Sequence, residues 1–289
     1  MNTTIMSKGS LPKAVRRLPR GLWVFLGLFI VGLVFLAPLV WMVVVSFERY
    51  ANINPPYPPT FLIKEPSIFN YTIALQNGYL LNAYKNSFLI AALNVLWTLF
   101  SSIVPGYAFS KGKFHGRHVL LMILLATMMI PSETKLIPLY KIWTLLGGRN
   151  TYWPVTIVLV SPFFAIIAKQ FFDKMPNSLR ESAFIDGSGE IRTFVHIFLP
   201  LIGPLAATIV VLTFMGSWND LLWPLIMLTD SGLKTVPLYL SSYSSTGGSG
   251  GGMGTAMALS VLSIIPVSVV FLLFQKYIVQ SIALTGLKE

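Results

Sequence analysis

The amino-acid sequence predicts an all-α integral membrane protein that crosses the bilayer six times. Of its 289 residues, 54% are hydrophobic and 11% are charged, whereas a soluble domain carries about 25% charged residues. The apolar residues form uncharged intervals of about 20 residues, the length of helix that crosses a hydrocarbon core of about 30 Å. The Lys and Arg residues behind the net charge of +11 lie between these intervals, which is typical of membrane topology.

Six mainly apolar intervals with few charges define the predicted spans. The first resembles a secretory signal because basic residues precede it, but the uncharged run at 21–47 is about twice as long as a signal-peptide core and lacks a small-residue cleavage site. We therefore expect a retained helix there. The membrane domain occupies 22–279, between an N-terminal segment at 1–21 and a tail at 280–289. Its predicted spans are 22–47, 87–109, 119–138, 153–172, 202–228 and 257–279.

The distribution of Lys and Arg predicts the orientation of the chain. With the N-terminus placed in the cytoplasm, the inner segments and their flanks hold twice as many basic residues as the outer ones. Basic residues favour the cytoplasmic side, so both termini are predicted to be cytoplasmic. Of the outer segments, 48–86 is expected to be structured. The Gly/Ser-rich segment 241–254 is expected to be flexible, either as a linker or as a mobile loop that contacts a partner.

The third predicted span is interrupted near Pro131. A proline inside a regular helix costs about 3 kcal/mol, and Glu133, Lys135 and Pro138 follow it. Either the span ends at Pro131, or it continues as a broken helix that lines a polar cavity. Irregular backbone is tolerated at membrane depth only in such a setting.

The residue types present argue against several classes of function. The basic excess lies between apolar runs rather than on solvated elements, which argues against nucleic-acid binding. The ATP-binding motif G-x-x-x-x-G-K-[ST] is missing, since its nearest approach, at 106–113, has five intervening residues and is followed by Phe114. The chain has no Cys, and its three His have no acidic partners at metal-ligand spacing. We therefore expect no enzyme activity, no metal and no cofactor in this chain.

The cytoplasmic segment 173–200 is too polar to enter the bilayer. Ser178 and Glu181 have the spacing of a capping box at the start of a helix, and Gly187 supplies a left-handed residue to end it about eight residues later. So short a helix is unstable alone in water, and tertiary contacts or a partner must hold it. A second helix is predicted from about Glu190 to Leu199. On its own, this pattern also fits an ordinary interfacial elbow.

The string from Glu181 to Pro200 resembles the EAA loop of binding-protein-dependent ABC importer permeases. The family pattern is close to EAA, three residues, G, nine residues and I-x-LP, and Ser182 makes the first part ESA here. The resemblance covers 85–289 well and the first span loosely, and it departs from the family again in a tail ending Lys288-Glu289. Further stretches similar to the maltose-type branch of sugar importers are MMIP at 128–131, LIPLY at 136–140, NTYWP at 150–154, SWNDLLWPLI at 217–226, and QKYIV and TGLKE near the C-terminus.

The resemblance implies a type I ABC importer permease fold, in which the EAA loop forms a coupling helix on a cytoplasmic ATPase. Small side chains there would let the partner approach the backbone, and two carboxylates would hold the docked helix. The resemblance also implies three kinds of partner: two ATPase subunits that bind ATP and Mg, a second, dissimilar permease, and an extracytoplasmic solute-binding protein. It places the chain among the lipids of a bacterial-type inner membrane. The implied coupling residues are Glu181, Ser182, Ala183, Asp186, Gly187 and Pro200.

A second group of residues is a candidate for the solute pathway. Trp218, Asn219 and Asp220 lie in the fifth interval, where an aromatic face and an amide suit a sugar, and Glu133 lies at the break in the third. The alternatives are a capping role for Asp220 and a membrane anchor for Trp218. The implied function is import of a di- or oligosaccharide. A stand-alone secondary transporter is the alternative function, and the inverted repeats and paired intramembrane charges typical of that class are not visible.

Overall fold

The computed structural model describes residues 20–76, 78–157, 161–245 and 252–286, and these ranges are mainly helical. One long helix runs from Glu190–Thr193 through a π turn (Phe194–Phe198) and a 3₁₀ turn (Leu199–Ile202) into Gly203–Asn219. The helices are α1 (Arg20–Phe47), α2 (Phe69–Gln76), α3 (Tyr79–Lys111), α4 (Arg117–Met128), α5 (Ser132–Leu145), α6 (Trp153–Thr156), α7 (Pro162–Asp173), α8 (Ser178–Ile185), α9 (Glu190–Thr193), α10 (Gly203–Asn219), α11 (Leu222–Met227), α12 (Val236–Ser245) and α13 (Met253–Gly286).

Within the described ranges, 4 helices are long and apolar enough to cross a membrane, namely α1, α3, the continuous helix Glu190–Asn219 and α13. The pair α4 and α5 would add one crossing if it forms a single bent span. The fourth predicted span, 153–172, consists of α6 and α7 on either side of 158–160, which lie outside the described residues. The count of six therefore stays a prediction.

Several predicted boundaries differ from the structure. The fifth span, predicted over 202–228, is helical from Glu190 to Asn219, because the helix extends into the polar loop before it and breaks at Asp220. The tail predicted at 280–289 continues α13 as far as Gly286. In the segment predicted to be flexible, 241–245 belong to α12, and 246–251 lie outside the described residues. Almost all of the predicted N-terminal segment 1–21 lies outside them too.

The third predicted span bends sharply at Pro131. α4 and α5 meet there at an angle of 102°, because Pro131 has an extended ψ of 141° that no α-helix continues through. Lys135 on α5 donates to the carbonyl of Thr127 at 3.1 Å and so satisfies one of the free carbonyls at the end of α4. A helix resumes directly after the proline, and the broken span that lines a polar cavity stays a prediction.

α3 packs against both α7 and α10. The point of closest approach is Gly106, where an added Cβ would lie 2.5 Å from the Cβ of Ala168. α1, in contrast, packs on α2 and α13, and much of its apolar surface is exposed in the single chain. The buried core at the C-terminal half of α3 consists of Ile103, Tyr107, Ala168, Phe172, Phe198, Ile202, Leu205 and Ile209.

Two buried asparagines on α3 hold irregular segments of the chain. Asn94 donates to the carbonyl of Val155 and to the hydroxyl of Ser217, both at 2.9 Å, and so links α3 to α6 and α10. Asn86 donates to two backbone carbonyls just before α12, at 2.8 and 3.0 Å. Since the bilayer core contains no water, carbonyls outside regular helices need a donor from the protein. α3 supplies these donors.

Replacing Gly106 with alanine is expected to destabilise the bundle, because the new methyl group would overlap Ala168 on α7. Overpacking of this kind costs about 1–3 kcal/mol. Gly32→Ala on α1 is the matched control, since no atom lies within 4 Å of an added Cβ there. In thermal unfolding of the detergent-purified variants, only G106A should have a lower midpoint. Equal midpoints would contradict the close approach of α3 and α7.

Candidate functional site

The segment 173–200, predicted to be cytoplasmic, contains a short helix of the predicted length. α8 has 8 residues, and Gly187 follows it with a left-handed φ of 79°, a conformation that glycine adopts without strain. The N–H of Ser188 donates to the carbonyl of Ala183 at 2.9 Å, and the N–H of Gly187 donates to that of Phe184 at 3.1 Å. This pair of hydrogen bonds is a Schellman motif, and it fixes where the helix ends.

The predicted capping box at the start of the helix is wrong. The N-cap is Asn177 rather than Ser178, and no side-chain cap hydrogen bond forms there. Lys111, the last residue of α3, donates instead to the Oδ1 of Asn177 at 2.8 Å and to the carbonyl of Met175 at 2.7 Å. The side-chain oxygen that could cap the helix therefore binds a cation from α3.

An ion pair connects α8 to the helix that follows it. The Arg180 guanidinium meets Glu190 on α9 at two points, with Nη2–Oε2 at 2.6 Å and Nε–Oε1 at 3.1 Å. Tyr107 on α3 donates its hydroxyl to the same Oε1 at 2.8 Å. We call these three side chains the Arg180 cluster. An arginine side chain is charged at physiological pH, and hydrogen bonding to Glu190 raises the pKa of Arg180 further.

A second ion pair fixes the start of the segment. Asp173, at the end of α7, accepts from Lys169 at 2.6 Å and from Ser110 on α3 at 2.7 Å. Burial raises the pKa of Asp173, but the hydrogen bonds from Lys169 and Ser110 and the charges of Lys169 and Lys111 outweigh it, and the net pKa is lowered. The last two turns of α3 therefore hold the segment through Tyr107, Ser110 and Lys111.

The residues predicted to dock a partner are exposed, with one exception. Ala183 is only 4% exposed, because its methyl group packs inside the chain, and it does not offer the open surface that the sequence predicted. Ile185 and Ile191 are 87% and 80% exposed and add apolar side chains to this surface. Neither ion pair of the described residues uses a predicted docking carboxylate. The exposed predicted residues are Glu181, Ser182, Asp186, Gly187 and Pro200.

Trp218, predicted for the solute pathway, lies in the protein core. It is 1% exposed, and its ring centroid lies 4.9 Å from that of Phe88 and 5.6 Å from that of Phe214. Its Nε1 donates to the carbonyl of Ser263 at 3.2 Å. A side chain enclosed in this way contacts neither a solute nor the lipid interface, so both predictions for Trp218 are wrong.

The other pathway candidates are more accessible. Asp220 follows α10 directly, and its Oδ1 accepts from the N–H of Trp223 at 3.4 Å. The N-cap residue of α11 is Leu221, so Asp220 binds the first turn of that helix from one residue further out, which favours a capping role. Asn219 is exposed at the end of α10. Glu133 is exposed in the first turn of α5 and accepts from Ser132 at 2.9 Å. Solute contact by Asn219 and Glu133 stays a prediction.

Sequence reasoning missed the residues that position the site. Arg180 and Glu190 are separated by 10 positions and lie on different helices, so no helical spacing pairs them. Tyr107 and Lys111 belong to another span altogether. The spacing of four between Lys169 and Asp173 is the signal that could have revealed their ion pair.

These features define a helical membrane subunit that presents a short, firmly held helix beside its spans. The family model of the binding-protein-dependent transport system inner membrane component matches residues 98–284. The chain belongs to this family. It is therefore a multi-pass membrane permease component of an ABC importer, in which separate subunits carry out ATP hydrolysis.

Individual relatives agree with this assignment. The chain is 33% identical to the trehalose/maltose transport system permease protein MalG of Thermococcus litoralis over 91% of its own length and 95% of the relative. It is 33% identical to the arabinooligosaccharides transport system permease protein AraQ of Bacillus subtilis over 78% of its length and 80% of the relative. The fold is that of a chain from a bacterial ABC transporter involved in the import of the acidic polysaccharide alginate, with a TM-score of 0.81 at 23% identity, over 93% of this chain and 99% of that one.

Replacing Gly187 with valine is expected to abolish ATP-dependent solute uptake while the protein still inserts into the membrane. A left-handed φ costs a side-chain-bearing residue about 1–2 kcal/mol, enough to undo the turn that ends α8. Gly189→Val is the matched control, because Gly189 has an ordinary φ of −75° and both sites are free of atoms within 4 Å of an added Cβ. Uptake is normalised to permease in the membrane fraction. Wild-type uptake by G187V would contradict a functional role for this turn.

The capping role of Asp220 can be separated from solute contact. Asp220→Asn should keep both uptake and the unfolding midpoint, because the amide oxygen can accept the same hydrogen bond. Asp220→Ala should lower the midpoint, since loss of a cap costs about 1 kcal/mol. If D220N loses uptake at an unchanged midpoint, the carboxylate has a role beyond the cap.

Proposed function

We propose that this chain is the permease subunit of an ATP-driven importer of a di- or oligosaccharide, and that it forms the translocation pathway with a second, dissimilar permease. Two ATPase subunits bind ATP and Mg, and an extracytoplasmic binding protein delivers the solute. Both termini lie in the cytoplasm. Relatives named for trehalose/maltose and for arabinooligosaccharides support a saccharide as the solute.

The observation that carries the proposal is the pairing of a firmly held α8 with an open outer surface. Glu181 and Asp186 are exposed. Ile185, next to Asp186 in the chain, is 87% exposed. An apolar side chain in a pocket, flanked by charge pairs at the rim, is a common way to anchor a helix on a partner. The complementary surface on an ATPase subunit would be a cleft with an apolar floor and Arg or Lys at its edges.

The chain's part in transport is mechanical. When the ATPase subunits close on ATP, the docked α8 moves with them, and its contacts with α3 carry the displacement into the membrane domain. The permease then opens toward the outside without any chemistry of its own. The exposed polar groups at helix breaks, Glu133 after Pro131 and Asn219 before α11, are placed where transporters commonly contact polar solutes.

The proposal predicts sugar uptake that requires ATP inside vesicles. The permease is purified with its co-expressed partners and reconstituted into proteoliposomes, and a loaded binding protein is added outside. Labelled di- and oligosaccharides should accumulate only with internal ATP and Mg, and should not accumulate with an ion gradient alone. Uptake by the permease alone under an ion gradient would support the stand-alone secondary transporter and overturn the proposal.

A further inference from the structure

The helix α8 has few apolar contacts of its own. Of its 8 residues, Ala183 is buried, whereas Ile185 is almost fully exposed. A helix of this length has no independent stability, and its apolar burial is limited to Ala183 and to Leu179 and Phe184, which stay 37% exposed each. Polar contacts with neighbouring helices therefore add to this packing in holding α8, and these contacts are the Arg180 cluster and the hydrogen bonds of Lys111.

The Arg180 cluster ends on a rigid part of the membrane domain. Tyr107 is 6% exposed, and its ring centroid lies 4.8, 5.1 and 5.5 Å from those of Phe194, Phe198 and Phe172. These rings belong to α7 and to the helical run that leads into α10. The Tyr107 hydroxyl is thus held at a fixed point where α3, α7 and the approach to α10 meet.

The geometry of the ion pair restricts the orientation of α8. A bidentate contact between a planar guanidinium and a carboxylate fixes direction as well as distance, and the Phe184 ring, with its centroid 4.4 Å from the guanidinium carbon, covers one face of it. Lys111 holds the first turn of the helix through Asn177. α8 is therefore linked to α3 at two separate points, through Glu190 on α9 and through Asn177 at its own N-cap.

We infer that Arg180 is a positioning residue for energy coupling: through Glu190 it joins α8 to Tyr107, so that a displacement of α8 by a partner is passed to α3. The inference rests on the proposed function. It assigns to Arg180 and Glu190 a role that none of the docking residues has, because their side chains face the permease rather than the ATPase. Without the cluster, α8 can still dock, but its movement is no longer transmitted fully to the spans.

The test measures solute transported per ATP hydrolysed in assembled, reconstituted complexes. R180E and E190R each place two like charges together and should lower this ratio by at least about fivefold, the scale of a typical coupling energy, while ATPase activity persists. The double variant R180E/E190R restores opposite charges and should recover most of the ratio. Arg192→Glu changes an exposed residue of α9 that lies outside both ion pairs of the described residues. It makes the same charge change and should leave the ratio near that of the wild type.

Tyr107→Phe tests the inference independently if the charge variants fail to assemble. It removes only the hydroxyl that meets Glu190 and keeps the ring in its aromatic core, so complexes should assemble with a reduced ratio. A wild-type ratio in Y107F, or a ratio in R180E no lower than in R192E, would overturn the inference. Neither result bears on the proposed function. If the proposed function were wrong, the wild-type complex would take up solute without requiring ATP.

Discussion

The structure depends on one long helix whose polar side chains hold the irregular parts of the chain. In its N-terminal half, Asn86 and Asn94 on α3 donate to carbonyls that no regular helix satisfies. At its C-terminal end, Tyr107 and Lys111 hold the loop that contains α8. Such groups are costly to bury unpaired, and inside a bilayer water cannot replace a missing partner. Each contact therefore fixes a segment that its own sequence would leave undetermined.

Apolar packing has a different and less specific part in the fold. Lipid tails are as apolar as the side chains of a span, so burial of apolar surface does little to bring membrane helices together. Close approach at small residues compensates, as where Gly106 meets Ala168 between α3 and α7. α1 makes few such contacts and leaves most of its apolar surface to its surroundings, which is consistent with a helix that faces lipid or another subunit.

The sequence predicts features that depend on single residues or on local composition. It does not predict contacts between side chains that are far apart in the chain. Uncharged intervals locate α1, α3 and α13 because a charge in the bilayer is costly, and Gly187 reveals its turn because a left-handed residue is needed there. The capping box fails because Lys111, from a separate span, takes the oxygen of Asn177. The predictions for Trp218 fail because the rings that enclose it include Phe88, which is far away in sequence. The Arg180 cluster has no local signal, since its members come from three helices.

The positions of these contacts on α3 have a mechanical consequence. With 33 residues at about 1.5 Å each, α3 is about 50 Å long. Its polar contacts lie near its start at Asn86, at its middle at Asn94 and at its end at Tyr107 and Lys111. Because α3 is one continuous helix, a shift of its C-terminal end also displaces the segments that Asn86 and Asn94 hold. Asn94 holds α6 and the end of α10, where it meets Val155 and Ser217. Polar contacts that the fold requires for stability therefore also join the loop that contains α8 to the irregular backbone of the membrane domain.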